Sequence, residues 1–485
     1  MNGLPVAELL HVWITVGGAL MVIAAAALWR FSAPALTTFA ALVAASSAVS
    51  AVNTYGVLAP RQTAGAGVIV DAASLVASVV CCLVTAAVLA TTLGSKSLGK
   101  GILRHWPGLV LLTSAALMLT AHAASLPALL VATESASLGF VALLGAGRSQ
   151  RRGTEAAMKA VVVSAVAFGF AGLGTALMYG GSGALLQYDA LAASFADHGS
   201  SPVTMVGLFF VIAAFCFRLG AVPFHMVAPD LLDGAPLPAA MFSVSAFRVC
   251  FVVALLRLLQ LGFFAPAIAA DVTGVPLFLM WLAALSLLIG SIGAVRQEHV
   301  KRMLAYLSIA QLGFALMAVV ALSQDAPAAA TGVGACLLAQ AVAFLVAFAA
   351  LSDLGATNEG HPFVDDLAGL SQSRPLLAFA LALSFLSAAG MPFTVGFGGF
   401  FPVLLSTFNV PLLLPLAVVG LLSFLIGLYP ALRVIVAMYF REPTRTWPEA
   451  HTAGGSAVLV VGTMTLLIFG VLTSPWLGWA RLLVP

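Results

Sequence analysis

The chain has 485 residues, 62% of them hydrophobic and only 8% charged, where an ordinary soluble domain carries roughly 25% charged residues. Its net charge of +3, from 20 basic and 17 acidic side chains, is too sparse for a nucleic-acid-binding surface. Apolar runs of about 20 residues recur along the whole chain, as bilayer-spanning helices require, and the short alternating segments of a membrane β-barrel are missing from the sequence. The expected fold is an all-α polytopic membrane protein with the lipid bilayer as its main surroundings.

The first run follows MNGLPVAELLHVW, which has no basic region ahead of its apolar core, so an uncleaved first span is expected and not a signal peptide. About fourteen spans are expected, near 7–29, 33–53, 68–93, 106–122, 125–146, 157–179, 203–222, 238–261, 274–295, 302–323, 328–354, 375–404, 411–440 and 455–478. Connections are short, with the longest polar pieces near 180–200 and 355–373. Asp71 opens the third span, where a carboxylate suits the positive end of the helix dipole. Cys81, Cys82, Cys216, Cys250 and Cys336 all lie in apolar runs without CxxC spacing. They read as packing residues, and no zinc or iron–sulfur site is expected.

Basic residues alternate between connections. Arg30, then Lys96, Lys100 and Arg104, then Arg148, Arg151 and Arg152 follow the first, third and fifth spans. Arg296, Lys301 and Arg302 follow the ninth, Arg374 precedes the twelfth, and Arg441 and Arg445 follow the thirteenth. The opposite connections hold little beyond Arg61, with Arg481 at the tail. The positive-inside rule then puts both termini on the non-cytoplasmic side.

Two spans are interrupted. In FCFRLGAVPFHMVAPDLLDG, Gly220 and Pro223 break an apolar run just after Arg218, and a second run carries Arg248 in its interior. In GMPFTVGFGGFFP, Gly390 and Pro392 break the twelfth span over 390–402. A charge at a helix centre costs roughly 2.5–3.5 kcal/mol on insertion scales, so Arg218 and Arg248 are expected to face protein or water. Broken helices in corresponding places of two halves mark an inverted-repeat transporter. The halves expected are 106–261 and 274–440, between N-terminal helices over 1–105 and a C-terminal helix over 455–485.

Other ionisable groups sit at membrane depth. Glu134, in LLVATESASLGF, is read as the partner of Arg218. His225, after the first break, is the better proton-relay candidate of the histidines, and His122 reads as structural. Lys159 and Arg257 are expected to snorkel, and Asp230 and Asp233 to initiate turns. Arg302 is expected at the interface, Lys301 either there or buried. Arg433 is expected to pair within the second half.

These stretches resemble the antiporter-like membrane subunits of proton-pumping NADH:quinone oxidoreductase, or respiratory complex I, most closely the N type. RLGAVPFHMVAPDLLDGAPLP looks like the family's broken seventh helix. KRMLAYLSIAQLGF looks like its tenth, GMPFTVGFGGFF like its broken twelfth, and TESASLGF contains its fifth-helix glutamate. RRGTEAAMKAVVVSAVAFGFAGLGTALMYGGSG looks like the stretch through its sixth. The likeness is collinear from about Asp71 to Arg433, and extends by ancestry to Mrp-type cation/proton antiporters and membrane-bound hydrogenases.

The resemblance implies fourteen helices, two inverted five-helix repeats, and proton translocation along a buried polar axis in a bacterial inner membrane. It implies no catalytic residue, metal or redox centre in this chain. Quinone, NADH, FMN and iron–sulfur clusters are expected in other subunits, and antiporter-like neighbours and small helical subunits are the expected partners. By the family's motifs Glu134 is its glutamate, His225 its loop histidine, and Lys301 a further proton-pathway candidate. Arg218 and Arg248 stand where the family has lysines, and Phe400 replaces a third lysine outright. A buried lysine can titrate near neutrality, whereas neutralising a guanidinium, whose ordinary pKa lies far above 7, costs roughly 7.5 kcal/mol at pH 7. Two readings follow: conduction with arginines as fixed charges, or a non-conducting structural subunit of the membrane arm.

Overall fold

The computed structural model describes residues 7–28, 31–58, 63–65, 67–93, 98–99, 102–147, 150–183, 186–198, 201–262, 274–324, 326, 328–354, 362–443 and 453–485. Arg30, Arg61, Lys96, Lys100, Arg148 and Arg445, used above for orientation, lie outside the described residues. The α-helices, in chain order, begin with α1 Leu10–Leu28, α2 Ala33–Leu58, α3 Ala72–Thr92, α4 Trp106–His122, α5 Leu126–Leu144, α6 Gln150–Gly181, α7 Tyr188–His198 and α8 Pro202–Leu219. After the first break come α9 Ala228–Gly234, α10 Leu237–Phe242, α11 Arg248–Gly262, α12 Gly274–Val295, α13 Val300–Leu322 and α14 Ala329–Asp353. The last are α15 Leu370–Ser373, α16 Pro375–Ala388, α17 Val395–Phe408, α18 Leu414–Phe440, α19 Ala453–Val471 and α20 Ser474–Arg481.

Among the described residues, twelve helical segments are long and apolar enough to cross a membrane, and α4, α16 and α17 are shorter apolar helices. This is a polytopic all-α membrane protein. α16 and α17 have 14 residues each, about 21 Å of helix, short of the ~30 Å hydrocarbon core. The twelfth run therefore divides in two. The sixth helix starts earlier than expected and absorbs Arg151 and Arg152, and the polar stretch after it contains α7. A two-stranded hairpin, β1 Thr63–Gly65 and β2 Val68–Val70, was not expected from the sequence.

Helix starts are set by local chemistry. Asp71 accepts from Ser74 N in a reciprocal capping box, and Ser201 accepts from Thr204 N at 3.2 Å; each satisfies an N–H that the first helical turn leaves unpaired. The interior is formed chiefly by three spans: within an 18-residue apolar stretch of each, 94% of residues are buried in Leu237–Gln260, 89% in Val300–Leu322 and 83% in Ala329–Asp353. By contrast only 28% of such a stretch is buried in Arg151–Gly181 and 33% in Pro411–Phe440, so these spans face outward. α6 and α8 approach through Gly174 and Gly207, where a Cβ on either would collide with the other's carbonyl oxygen, the small-residue contact usual between membrane helices.

Candidate functional site

Gly220 ends α8 because it takes a φ of 70°, open to a residue without Cβ. The backbone freed by the break is satisfied by protein, as membrane depth demands: Ala221 N donates to Cys216 O at 2.9 Å, and Val222 N to Ser286 Oγ of α12 at 3.1 Å. One turn back, Arg218 turns inward, its side chain only 4% exposed. Its Nη2 lies 2.5 Å from Glu134 Oε2 of α5, and its Nη1 donates to Ser137 Oγ at 3.0 Å. Ser164 of α6 donates to the other carboxylate oxygen at 3.4 Å. A low-dielectric setting makes such a hydrogen-bonded pair strong and leaves either member costly alone.

Beyond the pair lies a cavity of about 90 Å³, whose wall includes Ser137, Ser164, Arg218, Gly220, Ser243 and Arg248. Arg248 is 5% exposed. It follows a π-helical turn, Ser243–Phe247, the kind of insertion that re-aims side chains at functional sites. Its guanidinium donates to the Ser308 carbonyl and, at 2.9 Å, to Ser308 Oγ on α13.

One turn along α13 from Ser308, Gln311 donates from Nε2 to the Ala388 carbonyl at the end of α16. This is the second break, where Gly390 has φ 81° and Phe393 φ 63°. Pro392 lies between them, and Gly396 N donates to Ser387 Oγ at 3.0 Å. A line of polar groups thus joins the two breaks through Glu134, Arg218, the cavity, Arg248, Ser308 and Gln311. Beyond it stands Phe400, 6% exposed, stacked on Phe424 at 4.7 Å and edge-on to Phe314 at 5.0 Å.

Other candidates fall off this line. His225 sits half-buried on the 3-10 turn Phe224–Val227, does not line the cavity, and its Nδ1 is buried without a partner. Lys301 is buried, and its Nζ donates to the Asp233 and Ala235 carbonyls at 2.6 and 2.8 Å. It closes the C-terminal end of α9, where a cation suits the helix dipole. Asp230 is more than a turn former, since it pairs with both Lys159 and Arg302. Arg433 donates to the Gln297 carbonyl at 3.0 Å. The snorkelling expected of Arg257 is overturned: it is fully buried and pairs with Asp71, because a carboxylate from α3 meets it inside the bundle. His122 is buried against His11 and the Ile69 carbonyl. The five cysteines are buried and unbridged.

Sequence reasoning missed Ser308, Gln311 and Gln340. Gln340, on α14, is 3% exposed with neither amide atom hydrogen-bonded to protein. The available signal was positional: Ser308 and Gln311 share one face of an otherwise apolar helix at i, i+3 spacing.

Residues 123–427 match the membrane-region family described as NADH:quinone oxidoreductase/Mrp antiporter. The chain is similar to NADH-quinone oxidoreductase subunit N of Laribacter hongkongensis, 37% identical over 366 residues, covering 75% of this chain and 71% of that protein. It is 34% identical over 378 residues to the subunit N of Trichlorobacter lovleyi, covering 77% and 75%. Among solved structures it aligns with a chain of respiratory complex I from Thermus thermophilus at TM-score 0.80 and 26% identity, over 97% of this chain and 99% of that one. A chain of the Mrp complex from Dietzia aligns at TM-score 0.85 and 19% identity, over 99% and 97%, a likeness of fold alone.

Proposed function

The chain belongs to the NADH:quinone oxidoreductase/Mrp antiporter membrane family, and from that premise we propose that it is an N-type membrane-arm subunit of a complex I-type NADH:quinone oxidoreductase. The observation that supports this most is coverage: relatives named subunit N match three-quarters of the chain, and the complex I chain matches nearly all of it in fold. In this role the chain carries no redox chemistry. NADH, FMN, iron–sulfur clusters and quinone belong to other subunits. The neighbours are antiporter-like and small helical subunits, in a bacterial inner membrane with both termini outside the cytoplasm. The fourteen crossings comprise two inverted repeats, 106–261 and 274–440, set between the N-terminal helices of 1–105 and the C-terminal helix of 455–485.

Within the complex the chain contributes to proton translocation along the polar line. Glu134 is the group that exchanges protons. Arg218 and Arg248 keep their charge and act on the water around them by field alone. His225, on the 3-10 turn after the first break, and Lys301, at the end of α9, lie off the line and are its candidate relay groups on that side. A second reading, a non-conducting scaffold, is favoured by one observation: the Phe314–Phe400–Phe424 cluster places rings where the family resemblance calls for a lysine.

The assignment is tested by purifying the full chain in mild detergent. Quinone-reducing subunits are expected to accompany it. Sodium–proton exchange by the isolated assembly, without any redox partner, would make it an Mrp-type antiporter subunit instead.

A further inference from the structure

We infer that the cavity between Arg218 and Arg248 binds a small monovalent anion of the chloride class, which serves as the counter-ion of Arg248. The inference rests on charge, space and donor geometry at this cavity and does not depend on whether the chain conducts protons.

The charge count comes first. Two guanidiniums line the cavity, and Glu134 makes its ion pair with Arg218. Arg248, 5% exposed, has the Ser308 carbonyl and hydroxyl as its partners and forms no ion pair among the described residues. The charged groups on neighbouring elements are already engaged. On α13, Lys301 holds the two carbonyls at the end of α9 and is faced by the Asp233 carboxylate, so those two charges offset each other. At the rim, Asp230 of α9 pairs with Lys159 and Arg302. On the far part of α11, Arg257 is matched by Asp71 of α3. The cavity is left with one positive charge in excess.

A buried charge without a partner is among the most unfavourable arrangements in a protein. A lysine at this position could escape by losing its proton, but arginine does not deprotonate in proteins. The remaining ways to offset the charge are water and an anion. The cavity's volume of about 90 Å³ exceeds several-fold the ~10–15 Å³ that one water needs, and a halide is little larger than a water molecule.

Donors are present on both sides. A guanidinium carries five N–H groups, and Arg248 uses two of them on Ser308. Arg218 uses Nη1 and Nη2 on Ser137 and Glu134, while its Nε is buried with no partner. The rest of the wall is largely apolar, with Phe140, Val141, Val163 and Phe247 among its residues. Such a wall suits a weakly hydrated monovalent anion and disfavours phosphate or sulfate, whose second charge would go unmatched.

The test uses the detergent-solubilised assembly carrying the full chain, exchanged into chloride, bromide or gluconate at equal ionic strength. Thermal unfolding is expected to shift upward by several degrees, saturably, with chloride or bromide and not with gluconate, as for any ligand bound only by the folded state. Bromide anomalous scattering is expected to give a peak between Arg218 and Arg248. Arg248→Met removes the cation and is expected to abolish both effects. Ser243→Asp keeps the cation and supplies a carboxylate from the cavity wall, so it also is expected to abolish them. A parent protein indifferent to halide with no bromide peak overturns the inference. So does a halide shift that persists with the same midpoint in either variant, because the anion then binds elsewhere.

Discussion

Arg257 on α11 grips Asp71 at the start of α3 with two parallel hydrogen bonds, Nη1 to Oδ2 at 2.9 Å and Nη2 to Oδ1 at 2.8 Å. The side chains are 1% and 6% exposed, so the pair is sealed inside the bundle. The same carboxylate caps α3 through Ser74 N at 2.9 Å. One residue therefore both starts a helix and ties the N-terminal helices to the central one. Removing either partner strands a buried charge, which typically costs about 3–5 kcal/mol. Asp71→Asn and Arg257→Met are each expected to destabilise by that amount. The double variant is expected to be less destabilised than the sum of the two. Unfolding of all three variants in detergent measures the coupling; strict additivity would mean that the pair does not act as a unit.

How much of this could be read from the sequence depends on where the information lies. Gly220, Pro223, Gly390 and Pro392 announce both breaks locally, because their backbone constraints act on themselves and their immediate neighbours. Arg218 and Arg248 stand out because charge is so rare in this chain. Glu134 could be matched to Arg218 because few carboxylates were available at that depth. Arg257 was misread because its partner lies 186 positions away, and nothing in the apolar run around it distinguishes a buried arginine from a snorkelling one. Ser308 and Gln311 are ordinary polar residues in an apolar helix until the folded chain brings Arg248 and the end of α16 against them. Lys301 could not be placed from sequence because its partners are backbone carbonyls, which every residue carries.

The Glu134–Arg218 pair can be separated from mere packing. Arg218→Met leaves the carboxylate without its cation and is expected to destabilise by about 3–5 kcal/mol. Pairing it with Glu134→Gln, which removes the stranded charge, is expected to recover a large part of that loss. Arg218→Lys keeps the charge but gives up the bidentate reach to Ser137 and Glu134. In vesicles containing the assembly, the lysine variant is expected to conduct protons faster than the parent, because lysine can release its proton. Flux at zero in the parent and in every variant would leave the scaffold reading standing.

Lys301 is expected to act through α9. Its ammonium is the cap for the Asp233 and Ala235 carbonyls, so Lys301→Met leaves two buried acceptors unpaired, at about 1–3 kcal/mol each. Amide hydrogen exchange is expected to quicken in α9 and at the turn after it, while α3 and α4 stay protected. Loosening spread evenly over the molecule would argue against this local role.

Substitutions at Phe400 discriminate conduction from its loss at the second break. Its ring stacks on Phe424 and meets Phe314 edge-on, and such aromatic pairs add about 0.5–1.5 kcal/mol beyond the area they bury. Phe400→Leu is expected to cost about 1–3 kcal/mol, since it removes ring contacts and leaves space behind. It brings no polar group and is expected to leave proton flux as it is in the parent. Phe400→Lys restores the side chain that the family resemblance calls for, on the side of α17 that faces α13 and α18. If the polar line ends here for want of a proton-carrying group, the lysine variant is expected to raise flux several-fold in vesicles, while Phe400→Leu does not. If both variants raise it equally, the rings hold water back by bulk alone. If neither does, protons leave the line before they reach α17, or never travel along it.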